Sequence, residues 1–120
     1  MNTSLYAVTF DCQDAARLAA FWSEPLGAPV DEDPTAEFAS IGLHDAVSAR
    51  PHFMFIRVPE PKGTKNRVHL DLVSSTREAD IERLLSLGAT RLAEHDEYDE
   101  RWTTLADPEG NEFDVVAQRD

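Results

Sequence analysis

Apolar and polar residues follow the same order twice along this chain. Residues 5–28 read LYAVTFDCQDAARLAAFWSEPLGA, and residues 67–89 read RVHLDLVSSTREADIERLLSLGA. Each segment begins with the short alternation typical of a strand and continues with apolar residues at the three- and four-residue spacing of a helix. Both end in Leu-Gly-Ala. A repeated pattern of this length predicts two copies of one supersecondary unit.

Residues at the ends of the two predicted helices indicate where each helix begins and stops. Asp14 is placed to cap the first helix, and the Pro-Leu-Gly segment that ends at Gly27 should stop it. Ser75 and Glu78 have the spacing of a capping box before the second helix. Gly88 has the position of its C-terminal cap.

Three further stretches with strand character are predicted after each helix. They cover about residues 28–32, 36–42 and 52–58 in the first half, and 89–95, 101–106 and 112–117 in the second. The sequence DPEGN at 107–111 separates the last two, because Pro, Gly and Asn favour the dihedral angles of a tight turn. Each half is therefore predicted to form one βαβββ module.

The two modules are expected to form a single α+β domain over residues 1–120. The first covers about 4–58 and the second about 67–117, and the Pro, Gly and Lys residues of 59–66 are typical of an exposed linker. A helix on one face of each curved mixed sheet would leave the other faces around a cleft. A chain of 120 residues can bury one core but is short for two domains.

The charge of the chain restricts its partners. Its 23 acidic residues outnumber 11 Lys and Arg, and the formal net charge is -12 at pH 7. Such a surface repels phosphate backbones and anionic lipids. We therefore expect that the protein binds neither nucleic acids nor membranes. The N-terminal residues lack the pattern of a secretory signal, and a single cysteine, Cys12, is typical of a reducing compartment. A cytoplasmic location is therefore expected.

Two ionisable residues fall on one face of the first strand of the second module. With a period of two residues, His69 and Asp71 share one side, while Leu70 and Leu72 should pack against the helix. A histidine facing a cleft is typical of a ligand site, in which neutral imidazole can act as a base or a ligand. Same-face neighbours on a strand are about 6–7 Å apart, so Asp71 is expected to line the site rather than contact His69.

Further candidates for the lining of the cleft come from both modules. Thr9 faces the cleft from the first strand of the first module, and Trp102 could close the cleft as a stacking wall. Arg57 and Arg67 flank the linker, where either could meet an anionic group of a ligand or pair with a nearby carboxylate. The remaining histidines carry no ligand spacing and are expected at a loop border or an exposed edge: His44, His52 and His95.

The duplicated βαβββ unit, the DPEGN turn and the junction VPEPKGTKNRVHLDL together resemble the vicinal oxygen chelate superfamily. More narrowly, they are similar to its glyoxalase-like, bleomycin-resistance-like branch, over about residues 4–117. The resemblance implies two modules that curve around a cleft. Because the superfamily includes isomerases, lyases, dioxygenases, thiol transferases and drug-binding proteins, the fold alone does not imply a reaction.

The resemblance also implies where a metal would bind. In metal-using members, the ligands come from the first and last strands of each module, which in the second module are His69 and Asp114. The first-module positions are Ala7 and a residue near Phe55 or Ile56, which cannot bind a metal. Tight sites for divalent ions usually use three or more protein ligands. The resemblance therefore implies no firmly held cofactor and leaves open whether a divalent metal ion binds.

Two hypotheses for the function follow. The first is a small-molecule-binding protein without a tightly bound metal, and its expected ligand contacts are His69, Asp71, Asp114, Trp102, Thr9 and Arg67. The alternative is a divalent-metal-dependent lyase, isomerase or dioxygenase of the vicinal oxygen chelate type with a reduced ligand set. A third hypothesis is a vestigial cleft in a protein that acts through a partner surface. A homodimer is expected, because small curved sheets have edges to cover.

Overall fold

The computed structural model describes residues 1–43 and 51–119, so His44 lies outside the described residues. The chain forms two compact units, Met1–Pro61 and Lys62–Asp120. Each contains one helix and one mixed sheet, which is the α+β arrangement predicted. None of the helices in the described ranges has the length and apolar character needed to span a bilayer.

The first unit contains a three-stranded sheet. Its elements are β1 (Ala7–Cys12), α1 (Ala15–Leu26), β2 (Phe38–Ile41) and β3 (His52–Arg57). β3 lies in the centre, parallel to β1 and antiparallel to β2. The strand predicted over about 28–32 is wrong, because only the isolated bridge between Val30 and Ile41 forms there.

Helix α1 begins and ends at the predicted residues. The Asp14 carboxylate accepts a hydrogen bond from the Arg17 amide at 3.2 Å, which satisfies one of the free N–H groups of the first turn. Gly27 ends the helix with a φ of 64°, a left-handed conformation that glycine adopts without a steric cost. Both capping predictions for this helix are confirmed.

Aromatic rings form the core of the first unit. The ring centroid of Phe10 lies 5.3 Å from that of Trp22 on α1 and 5.2 Å from that of Phe55 on β3. Phe10 and Phe55 are register partners, so both face the helix. The alternation of strands then places Met54 on the opposite, open face of the sheet. This settles which residues of β3 pack inward.

The second unit contains a four-stranded sheet. Its elements are β4 (Leu70–Ser74), α2 (Arg77–Ser86), β5 (Thr90–Glu97), β6 (Glu100–Ala106) and β7 (Glu112–Ala117). The strand order is β4-β7-β6-β5, with β4 parallel to β7 and the other pairs antiparallel. The predicted βαβββ order is confirmed for this unit. Its large buried apolar side chains come from α2, β6 and β7: Ile81, Leu84, Leu105, Phe113 and Val115.

The start of α2 differs from the prediction. The N-cap is Thr76, and its side chain makes no capping bond, so the predicted capping box of Ser75 and Glu78 is wrong. Instead, the Ser74 hydroxyl donates to Asp80 and accepts a bond from the Thr76 amide at 2.9 Å. Three consecutive hydroxyl residues, 74–76, could bond to the backbone at the start of the helix. Ser74, the last residue of β4, is the one that accepts the bond from the Thr76 amide. The helix ends at Ser86 and its C-cap is Leu87, so the prediction of Gly88 as the cap is wrong by one residue.

The DPEGN segment forms the predicted tight turn between β6 and β7. Its aspartate, Asp107, is buried and accepts bonds from the amides of Glu109 and Asn111 at 2.9 and 3.0 Å. Gly110 has a φ of 89°, which the turn requires. The turn sets the register of β6 against β7 and therefore the positions of the side chains described next.

Candidate functional site

The open face of the second sheet brings together polar side chains from three strands. Asp71 on β4 is the register partner of Asp114 on β7, and Thr104 on β6 is the partner of Asp114 on its other side. The neighbouring pair, Leu70 and Phe113, is on the opposite face, toward α2. The three polar residues therefore form one row across the open face.

His69 adds an imidazole to this row. Its Nε2 atom lies 3.2 Å from Oδ2 of Asp114 and 3.5 Å from Oδ1 of Asp71. The expectation that Asp71 is too far from His69 for contact is wrong. Strand β4 begins at Leu70, so His69 lies just outside the regular strand and its ring is not held perpendicular to the sheet. This freedom lets the imidazole reach both carboxylates.

Asp114 is the fixed member of the cluster. Its side chain is only 12% exposed, compared with 41% for His69 and 60% for Asp71. The Thr104 hydroxyl donates a hydrogen bond of 2.6 Å to Oδ1 of Asp114, which leaves Oδ2 directed at His69. Sequence reasoning missed Thr104. The DPEGN turn is the sequence signal that could have identified Thr104, because the register set by the turn pairs residue 104 with residue 114.

Burial and the neighbouring Asp114 carboxylate oppose the ionisation of Asp71. Burial raises the pKa of Asp71 above its ordinary value of 3.8, and the hydrogen bond and negative charge of Asp114 raise it further. His69 acts in the opposite direction and does not compensate fully. A second carboxylate nearby disfavours the charged form of Asp71, and a positive charge would favour it. The cluster is therefore unfavourable for the protein by itself and favourable for a cation.

The donor set fits a divalent metal ion. One ligand atom each from His69, Asp71 and Asp114 can be chosen so that all lie within 4.8 Å of one another. Bonds from a metal to nitrogen or oxygen are about 2.0–2.6 Å long, so two ligands of one ion lie at most about 5 Å apart. One imidazole and two carboxylates suit ions such as Mn(II), Fe(II) and Zn(II).

A family model, described as a glyoxalase-like domain, matches residues 7–116 of the chain. The chain belongs to the glyoxalase-like domain family. This membership confirms the resemblance inferred from the repeat, the turn and the junction sequence. No curated protein sequence matches the chain.

Solved structures of similar proteins support the same fold. A glyoxalase/bleomycin resistance protein/dioxygenase family enzyme from Burkholderia phytofirmans PsJN is 21% identical, with a TM-score of 0.73 and 96% of this chain and 98% of that chain covered. A mutant of the fosfomycin resistance protein FosX from Listeria monocytogenes, complexed with Mn(II) and 1S,2S-dihydroxypropylphosphonic acid, is 15% identical, with a TM-score of 0.74 and coverages of 99% and 93%. The oxidase ChaP-H2 is 17% identical, with a TM-score of 0.65 and coverages of 99% and 96%.

The first unit of this glyoxalase-like domain has no comparable cluster at its equivalent positions. The register pairs Thr9 with Met54, as Asp71 pairs with Asp114 in the second unit. The residue equivalent to Asp114 is thus Met54 rather than Phe55 or Ile56. Thr9 is exposed in this unit, and its contact with a ligand stays a prediction.

Trp102 lies on the same open face as Thr104 and Asp114, because it is two residues from Thr104 on β6. Its ring stacks on that of His95, with centroids 4.9 Å apart and planes 16° from parallel. His95 was expected to be exposed, but it is half-buried by this contact. The two-residue turn at 98–99 sets the register that pairs residue 95 with residue 102. The pair forms an aromatic wall beside the row of polar residues.

The two arginines beside the linker have different environments. Arg57 pairs with Glu37 in the first unit, with 3.4 Å between Nη1 and Oε1, so the predicted pairing with a carboxylate is confirmed for this residue. Arg67 is exposed two residues before His69. Its contact with an anionic group of a ligand stays a prediction.

Proposed function

We propose that this protein binds an oxygen-bearing small molecule through an exchangeable divalent cation held in the second unit by His69, Asp71 and Asp114. One observation carries the proposal: an imidazole nitrogen and two carboxylate oxygens lie within 4.8 Å of one another. The raised pKa of Asp71 supports it, because the pair of carboxylates lacks a full positive counter-charge.

Two of the three ligands come from the positions that the superfamily uses, and the third comes from a new one. Asp71 lies two residues after His69 and opposite Asp114 in the sheet. It supplies the donor that Ala7 does not provide from the first unit. The ligand set is therefore local to one sheet, which separates this chain from members that draw ligands from both modules.

The exposure of the site favours weak and reversible binding of the cation. The His69 and Asp71 side chains are 41% and 60% exposed, so neither is held rigidly by packing. Three ligands leave positions open for water or for an oxygen atom of a small molecule. When bound, a divalent ion supplies a Lewis acid that polarises such an oxygen. The absence of a tightly bound metal stays a prediction.

The protein side chains have separate roles in this proposal. Asp114, fixed by the Thr104 hydroxyl, sets the position of the site. His69 and Asp71 would supply the other two donor atoms to the cation. The wall of Trp102 and His95 gives the small molecule an apolar surface on the same face of the sheet.

A metal titration tests the proposal. Mn(II) and Zn(II) are added to chelator-treated protein, and binding is followed by calorimetry for the wild type, His69→Ala and His95→Ala. His95→Ala is the matched control, since it removes an imidazole from the same face but not from the cluster. We expect one site per chain in the wild type and in His95→Ala, and a loss of at least about tenfold in His69→Ala. Equal affinities in all three proteins would contradict the proposal.

The small-molecule half of the proposal needs a separate experiment. A ligand that binds the folded protein raises its melting temperature by mass action. We expect small keto acids or aromatic hydroxy acids to raise it further with Mn(II) present than with chelator present. A ligand that stabilises the protein equally with and without a cation would support binding without metal instead.

A second candidate function is proton transfer by the same site, in a metal-dependent isomerase or lyase. In this candidate His69 and Asp114 would hold the cation, and Asp71, whose pKa is raised without a cation, would take the proton as the base. Exchange of the α-proton of keto acids in D₂O, measured by NMR, tests this candidate. Exchange that depends on both cation and Asp71 would support it, and exchange at the uncatalysed rate would exclude it for these compounds.

The homodimer and the cytoplasmic location stay predictions of the sequence. Strands β4 and β5 are the edges of the second sheet, and edges with unpaired backbone groups are commonly covered. Light scattering of the purified protein would measure the mass in solution and decide the oligomeric state.

A further inference from the structure

The segment that leads to His69 is held by a reciprocal pair of hydrogen bonds. The Asn66 amide donates to Oε2 of Glu112 at 3.0 Å, and the Glu112 amide donates to Oδ1 of Asn66 at 3.0 Å. Each residue thus satisfies the backbone N–H of the other with its side chain. The sequence predicted an exposed linker over 59–66, but its last residue is bound to the first residue of β7.

Neighbouring contacts support this clamp, defined here as the pair Asn66 and Glu112. The Lys62 ammonium lies 3.4 Å from Oε1 of Glu112, the oxygen that the Asn66 amide does not use. The Asn66 side-chain amide donates to Oδ1 of Asn111 at 3.4 Å, and Asp107 holds Asn111 in turn. The clamp is therefore anchored to the tight turn that sets the register of β7.

The location of His69 makes the clamp relevant to the cluster. β4 begins at Leu70, so the regular ladder does not include the backbone of His69. Only Arg67 and Val68 separate His69 from Asn66, and both are exposed, Val68 by 81%. The imidazole is thus carried by a short stretch that is fixed at Leu70 on one side and by the clamp on the other.

We infer that Asn66 is a positioning residue for His69, and that the clamp keeps the imidazole within reach of Asp71 and Asp114. The inference rests on the proposed function, since the position of the His69 imidazole matters only if a cation or ligand binds there. Without the Asn66 side chain, the segment would keep the ion pair between Lys62 and Glu112 but would lose the side-chain hydrogen bonds of Asn66 to the Glu112 amide and to Asn111. The imidazole would then sample many positions, and binding would have to order it.

The test compares Asn66→Ala with Lys65→Ala, a matched control at the adjacent exposed position. The measurements are the Mn(II) affinity and the ¹⁵N relaxation of the His69 backbone amide in the cation-free protein. We expect Asn66→Ala to lower the affinity by about tenfold, as for residues that orient metal ligands, and to increase the mobility of His69. Lys65→Ala should change neither quantity.

Further variants separate positioning from general stability. Ile81→Val thins the core beneath α2 without touching the clamp, so it should lower the melting temperature and leave the Mn(II) affinity unchanged. Glu112→Gln keeps an acceptor for the Asn66 amide and should retain the affinity within about twofold, whereas Glu112→Ala should behave like Asn66→Ala. Equal losses in Glu112→Gln and Glu112→Ala would indicate a direct role for the carboxylate and overturn the inference.

The outcomes distinguish this inference from the proposed function. If the wild type binds Mn(II) and Asn66→Ala binds it equally well, the positioning role is wrong and the proposed function stands. If the wild type does not bind a cation, the proposed function fails, and the relaxation data still decide whether the clamp orders His69. Unchanged relaxation of His69 in Asn66→Ala overturns the positioning role in either case.

Discussion

The open faces of the two sheets differ in chemistry although their strands pair in the same way. In the first unit the parallel pair β1 and β3 places Thr9 beside Met54, and in the second the parallel pair β4 and β7 places Asp71 beside Asp114. The first pair carries no ionisable group, whereas the second holds two carboxylates, and burial together with Asp114 raises the pKa of Asp71. A repeat thus reproduces a backbone arrangement without reproducing a site.

The unfavourable pair of carboxylates, Asp71 and Asp114, is itself informative about function. A pair at this position of a sheet can be neutral, as Thr9 and Met54 demonstrate in the first unit. Local features that lower stability are typical of sites that bind or react, where the missing interaction comes from a ligand. His69 supplies part of the counter-charge when protonated, and a divalent cation would supply all of it. Three predictions test this contrast, from the largest effect to the smallest.

The largest effect should come from removing the fixed ligand. Asp114→Asn retains the shape of the side chain and an acceptor for the Thr104 hydroxyl but loses the negative charge. We expect the affinity for Mn(II), measured by calorimetry, to fall by about 100-fold. Met54→Ala, at the equivalent position of the first unit, should stay within about twofold of the wild type, since its thioether is no ligand of the proposed site. Similar losses of Mn(II) affinity in Asp114→Asn and Met54→Ala would contradict the expectation that the cation binds in the second unit.

An intermediate effect is expected from pH. Cation and proton compete for Asp71, whose pKa is raised, so affinity should be highest above that pKa and fall as the pH drops through it. One competing proton gives a slope of up to about tenfold per pH unit. Asp71→Asn should bind more weakly at neutral pH and show a shallower slope. A wild-type affinity that does not change with pH would contradict competition at this carboxylate.

The smallest effect concerns stability without a cation. A carboxyl whose pKa is raised on folding destabilises the folded state above that pKa, and the penalty disappears below the unfolded value of 3.8. Asp71→Asn should therefore raise the melting temperature at neutral pH by about 2 °C and have no effect at low pH. Thr9→Ala provides the comparison in the first unit, where no such gain is expected. Scanning calorimetry in chelator measures both variants, and a lower melting temperature of Asp71→Asn would count against a repulsive pair.

The sequence was sufficient to predict both helices and most strands of the repeat, because the signals there are local, whereas the strand predicted over about 28–32 does not form. Apolar spacing located both helices, and the capping residues of the first, Asp14 and Gly27, act within a single turn. The DPEGN turn was predicted for the same reason. The capping box at Ser75 failed because adjacent Ser74 and Thr76 offer competing hydroxyl groups, and the choice among them depends on where β4 ends.

The site was only partly predictable, because its geometry depends on register and on the end of a strand. The alternation of β4 placed Asp71 on the correct face, but the contact with His69 depends on a strand that starts only at Leu70 and leaves His69, which was expected on the strand, outside it. Thr104 and Asn66 bond to residues on other strands, 10 and 46 positions away in the sequence. The spacing of apolar residues does not predict contacts at such separations. The resemblance named His69 and Asp114 as ligand positions, and only the register revealed Asp71 as their neighbour.

The central claim is that His69 joins Asp71 and Asp114 in binding a divalent cation. It is tested most directly by titrating Zn(II) into protein labelled with ¹⁵N-histidine and following the ring nitrogens of its 4 histidines by NMR. The account predicts that a ring nitrogen of His69 shifts and saturates near one equivalent, while the other three histidines do not change. A His69 ring that stays unchanged in excess Zn(II), or a saturable shift at another histidine instead, would contradict it.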